Sequence, residues 1–386
     1  MNEELFRQLD GLEEKYKKVW IDVCSIESPT NYKAGVDAVG EYFIRLAKEQ
    51  GFQVEVFEQE ISGNVVCITM NENAAAAPIC LSGHMDTVFP LGSLKKPLVR
   101  LEGDKIYGPG VMDCKGGLVV AFMVMEALKI IGYQERPIRF LLQSDEENSS
   151  LFSKKATINY ICEKAKGSAA FINLEGAEPG EVCIQRKGVL NFTLTVKGEE
   201  AHASFCAIKG SNAILEAAYK IIELEKLKDD EGLTCNCGVI QGGSVSNTVP
   251  KECIVKINIR FANEEQRLYA IDYVNKVAEA NHVPGCSTSV ELTNSRIAMA
   301  YSERNIQLLE KINKIFVANG FSTLKGNKRR GGSDAAEVTM SGIPTVDNLS
   351  VVGGDFHTAD EFAYVDTLLE RAKRIGSIIC DFEKIN

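Results

Sequence analysis

Histidines and carboxylates stand just after predicted strands at separate points of the chain, and such residues can hold metal ions. His84 and Asp86 follow the apolar run at 78–82, close to where its strand ends. A carboxylate two residues from a histidine can hold the imidazole tautomer that leaves the other ring nitrogen free for a metal. Alone, this His-x-Asp pattern also fits a capped turn with a surface histidine.

A glycine-rich segment at 108–117 (GPGVMDCKGG) leads into an apolar helix and invites comparison with phosphate-binding loops. It has no Gly-Lys-Ser/Thr sequence, and Asp113 stands where a dinucleotide-binding loop needs its third glycine. That carboxylate would repel an anion and attract a cation. The segment therefore argues against a nicotinamide oxidoreductase and makes Asp113 a candidate metal ligand.

Further acidic residues follow the next two predicted strands. The triplet 145–147 closes the apolar strand at 137–142, and Glu175 follows the strand at 169–174. Consecutive carboxylates repel one another unless cations neutralise them or their pKa values separate. A solvated first turn of a helix is the structural alternative for the triplet.

The last candidate is His357, in the segment 353–361 (GGDFHTADE) after another apolar run. The five candidates together are stronger evidence for a metal site than any one of them alone. Imidazole nitrogens mixed with carboxylate oxygens suit zinc, or less often cobalt or manganese.

Length and composition limit the number of domains, the partners and the cellular compartment that are expected for this chain. A chain of 386 residues exceeds what one hydrophobic core usually organises, so two domains are expected. The net charge of −10 argues against non-specific binding to nucleic acid or to anionic membranes. Without an apolar run long enough to span a bilayer, a signal peptide or a CxxC pair, the chain with its 12 cysteines is expected to be a cytoplasmic protein with reduced thiols.

The order of the elements predicts an α/β fold with an insertion. Buried-looking strands alternate with helices up to residue 186 and again after 296, which indicates a mainly parallel sheet flanked by helices. Between them, alternating strands and two helices follow in the order β-α-β-β-α-β, the ferredoxin-like arrangement. We therefore predict one domain formed by 1–186 and 297–386 and an inserted domain at 187–296.

These motifs, in this order, resemble the dinuclear zinc exopeptidases and deacylases. That family includes glutamate carboxypeptidase, aminoacylase, acetylornithine deacetylase, succinyl-diaminopimelate desuccinylase and peptidase T, and residues 331–336 with 353–365 look most like the glutamate carboxypeptidase branch. The resemblance covers essentially the whole chain and implies a mixed, mainly parallel sheet of the zinc-exopeptidase type with an inserted lid and dimerisation domain.

The resemblance also implies a role for each candidate in the first domain. Two Zn²⁺ ions, or Co²⁺ or Mn²⁺, would be held by His84, Asp113, Glu147, Glu175 and His357, with Asp113 bridging both and followed by a cis peptide bond. Asp86 would orient His84, and Glu146 would be the general base. The charges of two ions and three carboxylates leave +1, which a bridging hydroxide would cancel.

In the inserted domain and its surroundings, the resemblance implies residues that contact substrate. His202 would stabilise the oxyanion, in the partner subunit's site of a homodimer, whereas the sequence alone would make it a surface histidine. Asn247 and Arg260 would bind substrate; Arg296, at the return to the first domain, and the loop glycines Gly332 and Gly354 are further candidates by residue type and position. A structural ion pair is the alternative for each arginine, and turn formation is the alternative for each glycine.

The expected activity is hydrolysis of an amide bond next to a free α-carboxylate, on small peptides or N-acyl amino acids, with glutamate as a candidate product. An N-acyl-amino-acid deacylase of the aminoacylase, acetylornithine deacetylase or desuccinylase type is the nearest alternative, because the metal centre would be the same. A catalytically silent binding relative is the remote one, since it would be expected to lack the base or several ligands.

Overall fold

The computed structural model describes residues 2–230 and 232–385, and the chain divides into two compact units. The first unit is formed by Met1–Ile184, Tyr301–Lys328 and Ser333–Asn386. The second is formed by Gln185–Ala300 and Arg329–Gly332.

The helices and the strands are each numbered in the order in which they occur along the chain. The helices are α1 (Asn2–Cys24), α2 (Lys33–Gln50), α3 (Lys115–Ile130), α4 (Ala156–Ala165), α5 (Ala213–Leu224), α6 (Glu264–Glu279), α7 (Glu303–Ala318), α8 (Ala335–Met340) and α9 (Thr367–Asp381). The strands are β1 (Gln53–Phe57), β2 (Val65–Met70), β3 (Ile79–His84), β4 (Arg100–Glu102), β5 (Lys105–Tyr107), β6 (Ile138–Gln143), β7 (Ala170–Asn173), β8 (Glu181–Arg186), β9 (Gly188–Lys197), β10 (Ala201–His202), β11 (Thr234–Gly242), β12 (Thr248–Val249), β13 (Glu252–Phe261), β14 (Ser287–Arg296), β15 (Lys325–Arg329), β16 (Thr345–Val346), β17 (Gly353–Gly354) and β18 (Phe362–Tyr364).

The first unit is built on a six-stranded sheet in the order β1-β2-β6-β3-β7-β16. Strands β6, β3, β7 and β16 are parallel, and β1 and β2 pair antiparallel at one edge. The predicted mixed, mainly parallel sheet is therefore confirmed. Because β3, β6 and β7 are neighbours with the same direction, their carboxyl ends lie side by side, which is where α/β sheets bind ligands.

Both faces of this sheet are covered, which explains why its strands are apolar runs rather than alternating sequences. Successive residues of β2 illustrate this, since Val66 and Val65 belong to different hydrophobic clusters. One cluster includes α1, α2, α3 and α9, and the other includes α4 and α8. Helix α3 is buried nearly all round because it packs against β3 as well as α1 and α9.

The second unit contains a four-stranded antiparallel sheet in the order β11-β13-β9-β14, with α5 and α6 packed against it. Its element order along the chain is β-α-β-β-α-β, and the outer strands are β11 and β14. Inward-facing Leu190, Phe192, Leu194 and Val196 of β9 lie in its core, as the alternating sequence predicts. Among the described residues, no helix combines the length and apolarity needed to cross a bilayer.

Candidate metal centre

His84 is the last residue of β3, and its imidazole is buried with both ring nitrogens engaged. Nδ1 lies 2.9 Å from the main-chain oxygen of Asp86 and 3.3 Å from Asp86 Oδ1. Nε2 lies 3.0 Å from Asp113 Oδ1. Since the oxygens of Asp86 hold the proton on Nδ1 in the neutral ring, Nε2 is left as the nitrogen available to a metal.

The carboxylate of Asp113 lies between two histidines. Its Oδ1 faces His84 Nε2, and its Oδ2 lies 3.2 Å from His357 Nε2. His357 reaches this position from a left-handed turn with φ of 63°. The peptide bond between Asp113 and Cys114 is cis, as the resemblance implied. One carboxylate thus presents a separate oxygen to each histidine.

Two further carboxylates each lie near one of these histidines. Glu147 Oε2 is 3.3 Å from His357 Nε2, and Glu175 Oε2 is 3.7 Å from His84 Nε2. The turn after β6 carries Glu147, and the segment after β7 carries Glu175. The five predicted ligands are therefore brought together, and the contacts divide them into two sets that share Asp113.

The electrostatics of the cluster follow from burying several carboxylates together. Burial and the charge of Asp113 raise the pKa of Glu147 to about 8, and burial raises the pKa of Glu175 to about 7. Hydrogen bonds to Asp113 and Glu147 raise the pKa of His357 to about 10. Burial opposes ionisation of Asp113, but its hydrogen bonds with His357 and His84 outweigh this and hold its pKa below the usual range.

The donor set fits two divalent cations. Each of the two sets offers one imidazole nitrogen, one carboxylate of its own and one oxygen of the shared Asp113, a combination that suits zinc. Positive charge would also relieve the mutual repulsion that raises the carboxylate pKa values. Ligand atoms of His84, Asp113 and Glu147 lie within 4.8 Å of one another, close enough to hold a metal ion.

Asp86 connects His84 to the turn that carries the acidic triplet. Its Oδ1 accepts the Glu146 N–H at 3.2 Å, and its Oδ2 accepts the Glu147 N–H at 3.1 Å. The hydroxyl of Thr30 donates to the same Oδ2 at 2.8 Å. A single buried carboxylate therefore orients a histidine and fixes the backbone of two glutamates, and Thr30 is a supporting residue that the sequence analysis did not find.

Two buried residues, Cys114 and Asp145, form hydrogen bonds that hold the segments next to the predicted ligands in place. The thiol of Cys114 accepts the His84 N–H at 3.4 Å and donates to the Leu174 carbonyl at 3.3 Å. Burial raises the pKa of this thiol well above its usual value, and its Sγ lies within 4.8 Å of ligand atoms of His84 and Glu175. Asp145 accepts from Thr157 Oγ1 at 2.5 Å and from Ser153 N at 3.0 Å, which anchors the turn and excludes a solvated helix start.

In the second unit, His202 belongs to β10, and Asn247 directly precedes its partner strand β12. His202 pairs with Thr248, and the Ala203 N–H donates to the Asn247 carbonyl at 2.8 Å. His202 is exposed, and its Nδ1 accepts the Ser204 N–H at 3.2 Å. In the neutral ring the proton is therefore on Nε2, which can donate to a ligand.

The remaining predicted substrate residues have mainly local contacts. Arg260 donates to Asn258 Oδ1 at 3.0 Å and to the Arg330 carbonyl at 3.3 Å. A Cβ on Gly332 would lie 2.3 Å from Arg296 Cδ, so this glycine makes room for the buried arginine side chain within the second unit. Gly354 belongs to the first unit, where it pairs with Phe362.

Comparisons with known proteins identify similar chains. A family model described as Peptidase family M20/M25/M40 matches residues 80–381. Carboxypeptidase G2 of Pseudomonas sp. (strain RS-16) is 28% identical over 349 residues, which cover 89% of this chain and 82% of that protein. Succinyl-diaminopimelate desuccinylase of Rickettsia canadensis (strain McKiel) is 31% identical over 245 residues, 58% of this chain and 63% of the relative.

Solved structures show the same fold. A tripeptidase from Staphylococcus aureus subsp. aureus Mu50 aligns with a TM-score of 0.79 at 22% identity and covers 95% of this chain and 97% of its own. An M20 family metallo-carboxypeptidase from Sulfolobus solfataricus aligns with a TM-score of 0.71 at 16% identity, covering 94% and 98%.

Metal binding is expected to release protons. Near neutral pH the metal-free chain holds a proton on His357, whose pKa is about 10, and largely on Glu147, whose pKa is about 8. A metal needs the neutral imidazole and the ionised carboxylate, so affinity should rise with pH and proton release should fall as pH approaches those pKa values. Titration calorimetry with Zn²⁺ in buffers of different ionisation enthalpy, at about pH 7 and about pH 9, measures the protons released.

The matched variants are His357→Asn and His282→Asn, the second being a histidine of the second unit. The first should lower the number of protons released near neutral pH, and the second should leave it unchanged. Heats that do not depend on the buffer would contradict this account of the site.

Proposed function

Because the chain belongs to peptidase family M20/M25/M40, we propose that it is a dinuclear zinc exopeptidase that removes a C-terminal amino acid from small peptides or N-acyl amino acids. Hydrolysis of peptide or amide bonds is the activity of its family, and the chain is an enzyme of that class. The observation that carries the proposal is Asp113, with one carboxylate oxygen 3.0 Å from His84 and the other 3.2 Å from His357.

The proposed roles assign one ion to His84 and Glu175 and the other to His357 and Glu147, with Asp113 common to both. When bound, the two ions would lower the pKa of a water held between them and polarise the scissile carbonyl. The carboxylate of Glu146 then takes the proton of the attacking water and delivers it to the leaving amine. Its backbone N–H bond to Asp86 and its place beside Glu147 support this role.

We propose that residues 1–186 and 297–386 form the catalytic domain, which contains the first unit, and that residues 187–296, most of the second unit, form the lid and dimerisation domain. In it, the Nε2–H of His202 donates to the oxyanion that develops on the substrate, acting in the partner subunit's site. Asn247, Arg260 and Arg296 would bind the substrate carbonyl and α-carboxylate. Gly332 and Gly354 would shape the neighbouring backbone.

A cavity beside Glu147 favours the carboxypeptidase over a desuccinylase. It has a volume of about 290 Å³ and is lined by apolar Pro29, Val88, Pro90 and Phe152 together with neutral threonines and asparagines. Glu147 is the one charged residue among those that line it. A succinyl carboxylate placed there would find no cationic side chain among the described residues that line the cavity, whereas an apolar acyl group or side chain would fit.

We also propose a homodimer formed through the second unit. Exposed apolar side chains Leu215, Tyr219 and Ile222 lie along α5, and exposed Val239 and Ile240 lie on β11. Helix α5 packs beside β11, which is an outer strand of its sheet, so helix and strand edge form one apolar surface. A second copy related by twofold symmetry would cover this surface and pair the two β11 edges.

The cellular setting belongs to the proposal as well. The chain has 12 cysteines, and nine of them are buried. We propose a reducing, cytoplasmic environment, in which such thiols persist.

A hydrolysis panel tests the function and separates it from the deacylase alternative. We expect cleavage of N-benzoyl-glutamate and of dipeptides, weaker cleavage of N-succinyl amino acids, and none of analogues whose C-terminal carboxylate is amidated. Chelation should abolish turnover, and Zn²⁺ or Co²⁺ should restore it. Activity that survives chelation would refute the mechanism, and a preference for succinyl substrates would favour the desuccinylase.

Glu146→Gln tests the general base. The variant should lose about 10²–10⁴-fold in kcat, the typical contribution of a positioned acid–base group, because its amide cannot accept the water's proton. It should still bind two ions, as measured by metal analysis after dialysis. The control is Glu102→Gln, an exposed glutamate on β4. Near-normal turnover by a fully loaded Glu146→Gln protein would exclude this role.

Ile222→Glu tests the dimer surface. Light scattering should show a dimer for the unmodified protein and a monomer for this variant, because the new charge would be buried at the interface. The matched control is Leu268→Glu, an equally exposed apolar position on α6, which should remain dimeric. A monomeric unmodified protein would refute the proposal.

Mixed dimers test whether His202 acts on the partner's site. Glu146→Gln and His202→Asn proteins are each expected to be poorly active. After exchange of subunits, action across the dimer gives each mixed dimer one intact site, so about a quarter of all sites become active under random association. If His202 acts within its own subunit, mixing restores nothing.

A further inference from the structure

Glu361 has a buried carboxylate whose hydrogen bonds go to the loop that carries Asp113. Its side chain is 2% exposed. Oε1 accepts the N–H of Met112 at 2.9 Å and of Asp113 at 3.0 Å, and Oε2 accepts the N–H of Gly110 at 3.1 Å. The main-chain oxygen of Glu361 accepts the N–H of Gly108 at 3.1 Å.

Ion pairing does not account for this burial. Among the described residues no ion pair to Glu361 is formed, and the buried Lys115 donates instead to the carbonyls of Val23 and Ile26. A carboxylate taken out of water is costly unless hydrogen bonds compensate it, and charge-assisted bonds to backbone N–H groups are the stronger kind. The three N–H groups are therefore the partners that hold Glu361 in place, and it in turn holds their peptide planes.

The same residue belongs to the segment that carries the second histidine. Glu361 follows His357 by four positions, and its own N–H donates to the Thr358 carbonyl at 3.2 Å. One end of this short segment thus contacts Asp113 Oδ2 through His357, and the other end binds the Asp113 N–H through Glu361. The aspartate is held at its carboxylate and at its backbone by residues four apart.

We propose that Glu361 is a positioning residue that aims the carboxylate of Asp113 at both histidines. The inference rests on the proposed metal centre, in which Asp113 is shared by two ions. Between residues 108 and 113 the chain forms no helix or strand, and its local backbone bonds run from the Val111 N–H to the Gly108 carbonyl at 3.3 Å and from the Gly116 N–H to the Gly110 carbonyl at 3.2 Å. Trp20 also donates to the Val111 carbonyl at 3.1 Å, but among the described residues only Glu361 accepts the Asp113 N–H.

Glu361→Gln tests this role, because the amide keeps the size of the side chain but turns an NH₂ group toward at least one backbone N–H. We expect the weaker of the two Co²⁺ sites to lose about 10–100-fold in affinity, the usual effect of removing a partner that orients a ligand. The absorption spectrum of the Co²⁺ protein should change, and kcat should fall more than KM rises. Calorimetry and spectra are taken below the melting temperature of every variant.

The matched control is Glu216→Gln in the second unit. Glu216 is also a fully buried carboxylate that accepts two backbone N–H groups, those of His282 and Val283 at 2.9 Å and 2.7 Å, and in addition it forms an ion pair with Lys220 at 3.0 Å. Its neutralisation should lower the melting temperature and leave Co²⁺ affinity and spectrum unchanged. The comparison separates loss of a buried carboxylate in general from loss of the one that positions Asp113.

Glu361→Asp is the second variant, and it keeps the negative charge while shortening the reach. It should bind Co²⁺ more tightly than Glu361→Gln, and it provides the test if the glutamine variant does not fold. Folded Glu361 variants with unchanged affinities and spectrum would overturn the positioning role and leave the proposed function intact. An unmodified protein that binds fewer than two ions would overturn both.

Discussion

The mutual repulsion of carboxylates at the ends of parallel strands is the constraint on which the rest of the site depends. Asp113 lies within hydrogen-bonding or ion-pairing distance of both His84 and His357. Glu175 lies near His84 alone, and Glu147 lies near His357. Burial strengthens their interactions and makes each ionised form harder to sustain, which is why the pKa values of Glu147 and Glu175 rise. Only cationic partners relieve this repulsion fully, so the arrangement is specific to positive charge.

The strand order of the sheet brings the groups of the site together. Neighbouring parallel strands β3, β6 and β7 end beside one another, and each is followed within a few residues by a group of the site. Asp86 then connects the ends of β3 and β6, because it contacts His84 and accepts the N–H groups of Glu146 and Glu147. Regular structure delivers the groups to one edge, and single side-chain contacts set their final orientation.

The sequence predicted those parts of the site that depend on strand ends. His84 and Glu175 could be placed because apolar runs end beside them, and the change from buried to alternating strands marked the second sheet. Which members of the triplet 145–147 face the histidines could not be derived from spacing, and the resemblance supplied it. Asp145 turns away to bind Thr157, a contact set by the turn geometry.

Residues that act through backbone contacts could hardly be recognised from the sequence. Cys114 and Thr30 contact His84 and Asp86 through a main-chain N–H and a hydroxyl, and the spacing of the sequence does not reveal these contacts. Glu361 is part of the segment 353–361, but its place in the sequence does not reveal that its oxygens bind residues 110–113. Gly332 stays a predicted substrate contact, and the sequence did not reveal that its lack of a side chain makes room for Arg296.

The proposed ligands therefore differ in how firmly the fold itself fixes them. His84 is part of β3, and its orientation follows from a central strand of the sheet. Asp113 and His357 come from segments without regular structure, yet they make the contact that would join the two metal positions. Geometry at the bridge must then depend on residues that fasten these segments, such as Trp20 and Glu361, more than on the sheet. It follows that relatives with the same strands and the same five ligands can differ in the metal centre through residues that never touch a metal.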